Sequence, residues 1–528
     1  MYRIHFILVF CYCVSANLCF GQTLTTSDLP IILINTPNNR AIPDEPKIEA
    51  RMKIIYNGIG RINRITDTAY FYDAIGIETR GSTSQQISPK KPYAFEARDS
   101  ATSLPKNVRF FDMSKESDWS LIAPYSDKTL LRDALMYQLG NDIMNWAPRT
   151  RFCELVLNGS YQGVYVLTEK IKRDNGRVDI AKSNIGNPAE GGFIIKVDKS
   201  TGVSDGWTSA NQTKYFYHYP NPTDITFAQK TYIQTLFADF ERVMKTAQYA
   251  DSLTGYPKYL GINTFIDFIL LNEVARNVDG YRLSTYLYKD RDSINRHIKA
   301  GPVWDFNIGL GNANYCNGNR TDGWAWDFNT ICPADGLPIP FWWNKLTSDT
   351  AFRRKIKVRW TELRQTKWTN LYFTHAIDSL SGAVNQAQER NFQKWNILGQ
   401  QVWPNPQIAG SYSGEVGYLK SWLNARLIWL DGALNTSAVI THPQIASVPE
   451  VFPNPSNGVV HFYYYLHSNV DVKILIYNML GEQLESFEAK QNTGNYHWIW
   501  NKPPANGTYL YQIWQSGEVW QSGKIVIQ

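Results

Sequence analysis

Two aspartates in the middle of the chain stand in a pattern that could do chemistry. Asp279 lies in the segment RNVDGYRLS, and Ser284 follows five residues later. A predicted strand pair comes next, and beyond it the segment VWDFN brings Asp305 and Asn307. One carboxylate can hold a divalent cation while another accepts the proton of a hydroxyl group. The pattern therefore indicates metal-assisted group transfer, and its alternative is a pair of aspartates that cap turns.

The order of these residues matches what phosphoryl transfer requires. Protein kinases use an Asp, an Asn five residues later and, beyond a hairpin, an Asp followed by Phe and Gly. Here Ser284 takes the place of that Asn, and Asn307 takes the place of that Gly. We predict that Asp279 faces the acceptor hydroxyl and that Asp305 holds Mg²⁺ or Mn²⁺. Ser284 and Asn307 are the candidates for further metal contacts.

An upstream polar loop, residues 80–91, offers cations for the phosphates of a nucleotide. It lies between two predicted strands, and its backbone amides could cradle phosphate groups. Arg80, Lys90 and Lys91 are the candidate cations of this loop. Glu169 opens the segment EKIK, the predicted connector against which the adenine of ATP would lie. A solvated hairpin is the alternative for the two lysines.

The elements that must position these residues form a mixed pattern. Short apolar runs between turns predict strands in residues 29–115, and apolar periodicity predicts a helix over residues 128–144. Asn158 and Gly159 are a strong signal for a hairpin turn. From about residue 225 the periodicity becomes helical, and most of the chain between residues 341 and 434 is predicted helical. We therefore predict an α+β fold in which a strand-rich lobe precedes a largely helical lobe.

The two ends of the chain differ from this body. Residues 1–21 have a basic start, an apolar run and small residues before Gln22, which predicts a cleaved secretory signal peptide. Residues 29–434 form the main predicted domain, and residues 435–446 form a polar linker. Evenly spaced short strands then predict a small β-sandwich over residues 447–528.

Composition narrows the possible partners. The net charge of +6 is small for 528 residues, and no stripe of Lys or Arg stands out, so we expect no nucleic-acid partner. Beyond the signal peptide, no run reaches the roughly 18 apolar residues of a membrane-spanning helix. Export permits disulfides, and Cys316 and Cys332 bracket a loop that a bridge could close. Cys153 would then be a buried free thiol.

Several linked blocks of the sequence resemble the spore-coat kinase (CotH) family. The resemblance covers about residues 29–434 and is carried by IGIETRGSTSQ, PKKPYAFEA, DWSLIAPYSDKTLLRDALMYQL, RTRFCELVLNGSYQGVYVLTEKIKRD and GPVWDFNIGLGN. It implies an atypical, two-lobe kinase-like domain that uses ATP and a divalent metal to phosphorylate Ser of secreted or coat proteins. It also implies that Asp279 is the catalytic aspartate, that Asp305 binds metal and that the loop of residues 80–91 covers the nucleotide.

The chain departs from the family pattern at three positions. Many members have Asp or a second ligand near Asn307, and some have Asn where Ser284 stands; both changes could weaken a second metal ion. Asp133 stands where Asn is common, which we treat as minor. These departures keep a non-catalytic surface protein, a pseudokinase that binds a partner or a glycan, as the alternative function.

The C-terminal segments FPNPSNG, NGTYLYQI and GKIVIQ resemble the sorting domain of proteins that Bacteroidetes-type bacteria export through the type IX secretion system. The resemblance implies passage through the periplasm and a secreted or outer-membrane surface-attached product. An adhesive or carbohydrate-binding sandwich is the alternative for this domain. The sequence as a whole predicts a secreted kinase that transfers the γ-phosphoryl group of ATP to Ser or Thr of exported or surface proteins.

Overall fold

The structure, a computed structural model, describes residues 24–200, 205–434 and 449–527, apart from positions 453, 457, 467, 493 and 502. The predicted signal peptide and the predicted linker lie outside the described residues. Helices and strands both occur in quantity, which confirms the α+β class. The chain divides into two compact units at Leu434, and each unit is described by itself.

The first unit opens with a sheet that closes on itself. Its strands follow the order β2-β3-β5-β6-β7-β9-β8, and the parallel pairing of β2 with β8 closes the ring of otherwise antiparallel pairs. β1 and β4 form a separate short ladder. The nine strands are β1 (Thr26–Ser27), β2 (Ile31–Asn35), β3 (Ile48–Ile55), β4 (Asn63–Arg64), β5 (Phe71–Thr79), β6 (Tyr93–Arg98), β7 (Asp118–Ile122), β8 (Thr150–Leu157) and β9 (Ser160–Glu169).

Alternation along these strands sends one set of side chains into the closed sheet. Ile32, Met52, Phe95 and Trp119 belong to one fully buried apolar cluster. Because the side-chain period of a strand is two residues, a shift of one residue would expose this whole set. The register is therefore fixed by burial.

Two predictions for this region meet different outcomes. The turn between β8 and β9 has positive φ at Asn158 (48°) and Gly159 (77°), which confirms the predicted hairpin turn. The segment after β5, predicted as a loop throughout, instead contains helix α1 (Thr83–Ile87). The Gln85 side chain supports this turn of helix because its amide donates to the Gly81 carbonyl at 2.9 Å.

A second sheet and a set of helices complete the first unit. The sheet is antiparallel with the order β11-β12-β10-β13-β14. Its strands are β10 (Phe193–Val197), β11 (Gly206–Thr208), β12 (Lys214–Tyr219), β13 (Thr285–Lys289) and β14 (Lys299–Ala300). The helices are α2 (Arg132–Ile143), α3 (Phe227–Met244), α4 (Ile262–Ala275), α5 (Phe328–Ile331), α6 (Phe341–Ser348), α7 (Thr350–Gln365), α8 (Asn370–Ala383), α9 (Asn385–Lys394) and α10 (Tyr412–Ala433).

The helices follow the apolar periodicity of the sequence. α7 buries Phe352, Ile356, Trp360 and Leu363, which are three or four residues apart and share one face. α4 is buried over most of its surface because it lies in the centre of the largest apolar cluster. The prediction of a largely helical chain between residues 341 and 434 is confirmed.

The strand pair that precedes Asp305 is shorter than the sequence predicts. β13 pairs with β14 only through Leu287 with Ala300 and Tyr288 with Lys299. The segment that carries Asp305 is therefore not a strand but a loop. That loop is free to take the backbone shape that the site requires.

The second unit contains two antiparallel sheets, one with the order β15-β16-β19 and one with the order β18-β17-β20-β21. Side chains of both, such as Phe462, Ile474, Trp500 and Ile525, share one apolar cluster. Its strands are β15 (Glu450–Phe452), β16 (Val460–Leu466), β17 (Val470–Asn478), β18 (Gln483–Gln491), β19 (Gly494–Trp500), β20 (Gly507–Gln515) and β21 (Glu518–Ile527). The sequence predicted strands in VVHFYYYL, VDVKILIYN, HWIWN, GTYLYQIW and GKIVIQ, but it did not predict β15 or β18.

The remaining sequence features can also be located. Cys316 and Cys332 are joined by a disulfide with a Cα–Cα distance of 5.4 Å, and Cys153 is a buried free cysteine. Among the described residues, no helix combines the length and the apolar character that crossing a membrane would need.

Candidate active site

A cavity of about 860 Å³ in the first unit brings together residues that are far apart in the sequence. The predicted residues Asp279, Ser284, Asp305 and Asn307 all line it, and so does Arg80. Its walls come from the closed sheet, from the second sheet and from the loops between the helices. The two aspartates that the sequence singled out therefore face one space.

Asp279 is placed by a tight turn at the end of α4. Arg276 ends the helix in the left-handed conformation, with φ of 43°. The Asp279 amide then donates to the Asn277 side chain at 3.1 Å. A Cβ atom at Gly280 would lie 2.5 Å from the side-chain oxygen of Asn272, so the turn requires glycine there. The turn thus fixes the backbone of Asp279 directly beside the buried helix.

The surroundings of Asp279 suit a proton acceptor. Burial raises the pKa of Asp279 to about 6, the Arg282 guanidinium opposes this rise, and the charge of Asp305 adds to it. A carboxyl group with this pKa is mostly ionised at pH 7, yet it is more basic than an ordinary aspartate. A general base works best when its pKa lies near the working pH.

Asp305 is held by α2, more than 160 residues earlier in the chain. Its own amide donates to the Tyr137 hydroxyl at 3.1 Å, and the next amide, of Phe306, donates to Asp133 at 2.7 Å. Asp305 itself has φ of 65°, a conformation that side chains other than glycine rarely adopt. Strained positions of this kind concentrate at functional sites, where the surrounding bonds hold them in place.

Negative charge is crowded at this point. Burial and the neighbouring charge of Asp305 raise the pKa of Asp133 well above its usual range. The pKa of Asp305 is also raised, first by the protein that encloses it and then by Asp198, while Arg80 and Lys199 oppose the rise. The Asp305 side chain is nevertheless open to the cavity. Such crowding favours a bound cation.

Cations also line the cavity, at the ends of strands. Arg80 follows β5 and lies 5.1 Å from the ring centroid of Trp304, the residue before Asp305. Lys170 follows β9, and Lys196 and Lys199 lie in and after β10; all three line the cavity. Lysine and arginine side chains bind phosphate oxygens through charge-assisted hydrogen bonds. This wall could therefore hold the phosphates of a nucleotide.

Lys90, a predicted nucleotide contact, is turned away from the cavity. Its ammonium group donates to Asn391 of α9 at 2.8 Å and to the carbonyl oxygens of Val164 and Pro124. Burial lowers the pKa of Lys90 to about 7. The side chain is enclosed because it joins α9 to the closed sheet, so it is a structural contact.

Lys91 and Glu169 do not line the cavity either. Lys91 donates to the backbone carbonyl of Gln85, which supports α1. Glu169 is fully buried, accepts two hydrogen bonds from the Arg149 guanidinium and accepts one from the Ser114 amide. Both side chains are occupied by the loops around them. The cavity receives Lys170, the next residue after Glu169, instead.

The structure adds residues that the sequence did not single out. Arg282 bonds to Asp279 and also to Asp335, which follows the disulfide. At the rim, Tyr315 and Trp403 stack with ring centroids 5.7 Å apart, and the side chain of Trp403 is half exposed. Of these contacts, only the ion pair of Arg282 with Asp279 could have been predicted from the sequence, because the two residues are three positions apart. The other contacts depend on the fold.

The donor set at Asp305 fits a cation that is shared with a substrate. In the described parts of the chain, no group of three or more His, Cys, Asp or Glu side chains forms a ready metal site. Mg²⁺ commonly takes one or two carboxylates and completes its shell with phosphate oxygens and water. Asn307 donates to Asp305 at 2.9 Å and orients its carboxylate. The crowded charge of Asp305 and Asp133 is what a divalent cation would neutralise.

Comparison with known proteins agrees with this geometry. The model of the family described as CotH kinase protein matches residues 77–430, so the chain belongs to this family. A second model, described as the secretion system C-terminal sorting domain, matches residues 450–528. The resemblance seen in the sequence is thus confirmed for both parts. No curated protein matches the chain.

One similar solved structure is that of the Pseudomonas fluorescens alkylpurine DNA glycosylase AlkC bound to DNA containing an abasic site analog. The two chains are 12% identical, and the match has a TM-score of 0.12. It covers 35% of this chain and 54% of the glycosylase chain. A similarity of this size carries no argument about the fold or the function of this chain.

Proposed function

We propose that the first unit is an atypical protein kinase that transfers the γ-phosphoryl group of ATP to Ser or Thr of exported or surface proteins. The observation that carries the proposal is the meeting of Asp279 and Asp305 in one cavity with a wall of cations. Phosphoryl transfer depends mainly on positioning and on charge stabilisation, and this cavity offers both.

The donor side of the reaction falls to the cationic wall. Arg80, Lys170, Lys196 and Lys199 would pair with the phosphates of ATP. The closed sheet and the second sheet with its helices would act as the two lobes of a kinase-like fold, with the nucleotide between them. Lys90, Lys91 and Glu169 have no direct part in this version of the site, because the structure turns them away from the cavity.

The acceptor side falls to Asp279. As the acceptor oxygen bonds to the γ-phosphorus, the bond to the bridging oxygen of ADP breaks, and the hydroxyl proton passes to the Asp279 carboxylate. Asp305 would hold Mg²⁺ or Mn²⁺, with Asn307 and Ser284 as further contacts. The metal, when bound, supplies positive charge to the phosphate oxygens. Tyr137 and Asp133 keep Asp305 in its strained backbone conformation.

The sorting-domain match supports an activity outside the cytoplasm. A sorting domain of this kind is typical of proteins that leave the cell through a dedicated secretion system. We propose that residues 1–21 direct it into the periplasm and that the type IX machinery then secretes it or attaches it to the outer-membrane surface. Residues 435–446 would be the linker, and the two sheets of the second unit would pack as a sandwich that serves as the address.

A non-catalytic role is the second candidate. Ser284 and Asn307 replace groups that would bind a second metal ion, and a half-exposed Trp403 at the rim could contact a partner or a glycan. A pseudokinase of this kind would keep the cavity and lose turnover.

Nucleotide-dependent stabilisation tests the binding half of the proposal. We expect Mg²⁺ with ATP to raise the Tm of the mature chain, because a ligand that binds only the folded state stabilises it by mass action. Asp305→Ala should weaken this rise, since it removes the proposed metal ligand. A Tm that stays the same when the nucleotide and the metal are added would contradict ATP binding.

A further inference from the structure

Arg282 is a buried cation that joins the proposed catalytic aspartate to a distant loop. Its side chain is only 3% exposed. One terminal nitrogen donates to Asp279 at 2.9 Å, and the other donates to Asp335 at 3.0 Å and to the Leu337 carbonyl at 3.1 Å. Nε donates to the Val278 carbonyl at 3.0 Å. Every nitrogen of the guanidinium group is therefore used.

The packing around Arg282 adds a further constraint. Its guanidinium carbon lies 4.0 Å from the ring centroid of Phe328, so the plane of the group rests on an aromatic face. Phe328 and Asp335 both belong to the chain around Cys332, which the disulfide ties to Cys316. A planar fork held on several sides has little freedom to turn.

We propose that Arg282 is a positioning residue that aims the Asp279 carboxylate at the acceptor hydroxyl and keeps it ionised, and that Asp335 anchors Arg282 for this task. The inference rests on the proposed function, because it assigns a role within the same site. It adds that Arg282 sets the pH range over which the reaction rate rises.

The charges that face Asp279 decide the direction of this control. Arg282 and Lys199 lower the pKa of Asp279, whereas Asp305, Asp335 and burial raise it. Arg282 is the strongest of the opposing charges, second only to burial among all causes. Tyr315, which faces the same group, stays neutral because burial and the charge of Asp279 raise its own pKa. Loss of Arg282 should therefore raise the pKa of Asp279.

The test is the pH dependence of phosphoryl transfer by the full mature chain. In Arg282→Met, we expect the acid limb of the rate profile to move to higher pH by about 1–3 units, the usual effect of a neighbouring opposite charge. Arg282→Lys keeps a positive charge without the planar fork, so its shift should be smaller. It also serves as the variant with the smaller change if Arg282→Met is unstable.

Arg320→Met is the matched control, because Arg320 forms an ion pair with Asp322 on the surface of the same disulfide-closed loop. We expect its pH profile to match that of the unmodified chain. A uniform loss of rate at every pH in Arg282→Met, with no displaced acid limb, would overturn the inference and leave only a structural role. An unchanged profile in both Arg282 variants would overturn it as well.

Failure of the proposed function can be told apart from failure of this inference. If the unmodified chain transfers no phosphate, NMR titration of ¹³C-labelled aspartate carboxyl groups can follow Asp279, assigned with Asp279→Asn. An upward shift of its titration in Arg282→Met would support the control by Arg282 in a site without turnover. An unshifted titration would overturn it whatever the activity.

Discussion

Asp133 is the departure from the family pattern that the sequence led us to treat as minor, and the structure gives it a consequence. One oxygen of Asp133 accepts the hydrogen bond from Phe306 that helps to hold the loop of Asp305. An amide oxygen could accept the same bond. The carboxylate, in contrast, is driven toward its protonated form, because burial and then the charge of Asp305 raise the pKa of Asp133. The sequence pattern alone made the change look minor.

Substitution of this one residue should shift the pH range of metal binding. Protons and Mg²⁺ compete for Asp305, so its affinity for the metal should rise with pH. Mg²⁺ at Asp305 favours the ionised form of Asp133, so the affinity should keep rising until Asp133 has lost its proton. Asp133→Asn removes this titration, and we expect the midpoint of the rise to move to lower pH. Calorimetry of Mg²⁺ with a non-hydrolysable ATP analogue, repeated between pH 5.5 and 8.5, would measure it.

Asp142→Asn is the control for this comparison, because Asp142 lies on the same helix and bonds to Tyr372 instead of the cavity residues. Its midpoint should stay in place. If the midpoint of Asp133→Asn stays in place or moves to higher pH, the coupling between Asp133 and Asp305 does not control metal binding.

Substitution of two lysines can distinguish a residue that binds the nucleotide from a residue that stabilises the fold. We expect Lys170→Met to weaken ATP binding by about 10–100-fold with little change of Tm, since a charged hydrogen bond contributes roughly 1.5–3 kcal/mol. Lys90→Met should instead lower the Tm, because it leaves buried acceptors such as Val164 and Asn391 without their donor. Titration calorimetry and thermal unfolding of both variants test this. The reverse pattern would return Lys90 to the nucleotide site.

At the scale of elements, the loop closed by the disulfide lies behind Arg282, whose guanidinium group rests on Phe328 of this loop. Arg276 and Arg426 donate to carbonyl groups within it, and Glu273 accepts the amides of Ala325 and Trp326. The loop is thus held both by a covalent bond and by buried charges. Its rigidity keeps Asp335 in reach of Arg282.

Removal of the disulfide tests the covalent part of this arrangement. We expect a variant with both Cys316→Ser and Cys332→Ser to have a lower Tm. Its free energy of unfolding should fall by about 3 kcal/mol, the value for a loop of this length. Cys153→Ser, at the buried free cysteine, shows how much a cysteine change alone costs. A double variant with an unchanged Tm would mean that the buried arginines hold the loop by themselves.

The elements also show why part of the fold could be predicted. The segments of α4 and α7 carry the apolar periodicity of helices that bury side chains, so the sequence predicts helices there. β18 carries Glu, Lys and Gln along much of its length and is largely exposed, so it lacks the apolar alternation that marks a strand. α1 arises from contacts of the Gln85 side chain, which propensity does not reveal.

The site divides in the same way. Asp279 and Asp305 could be predicted because their order along the chain follows a chemical requirement. The bond from Phe306 to Asp133 spans 173 positions, and the bond from Arg282 to Asp335 spans 53, so neither leaves a local pattern. The bond from Lys90 to Asn391 spans 301 positions, so the sequence did not reveal that this lysine bonds to α9.

At the scale of the whole molecule, the unit that matches the CotH kinase family is separate from the unit that matches the sorting domain. The family match and the cavity both fall within residues 1–434, and the sorting domain falls within residues 435–528. A chain that ends before residue 435 should therefore retain the full activity of the site. The proposed phosphoryl transfer can then be measured in a chain that lacks the sorting domain.

The most direct test of phosphoryl transfer uses γ-labelled ATP with Mg²⁺ or Mn²⁺ and mature protein that ends before residue 435. Asp279→Asn and Asp305→Ala are compared with the unmodified protein, with the full mature chain as a check on the truncation. We expect label on the protein itself or on added acceptor proteins, and its loss in both variants. Absence of label from the unmodified protein and the full chain, or label that persists in both variants, would contradict the assignment of these two aspartates.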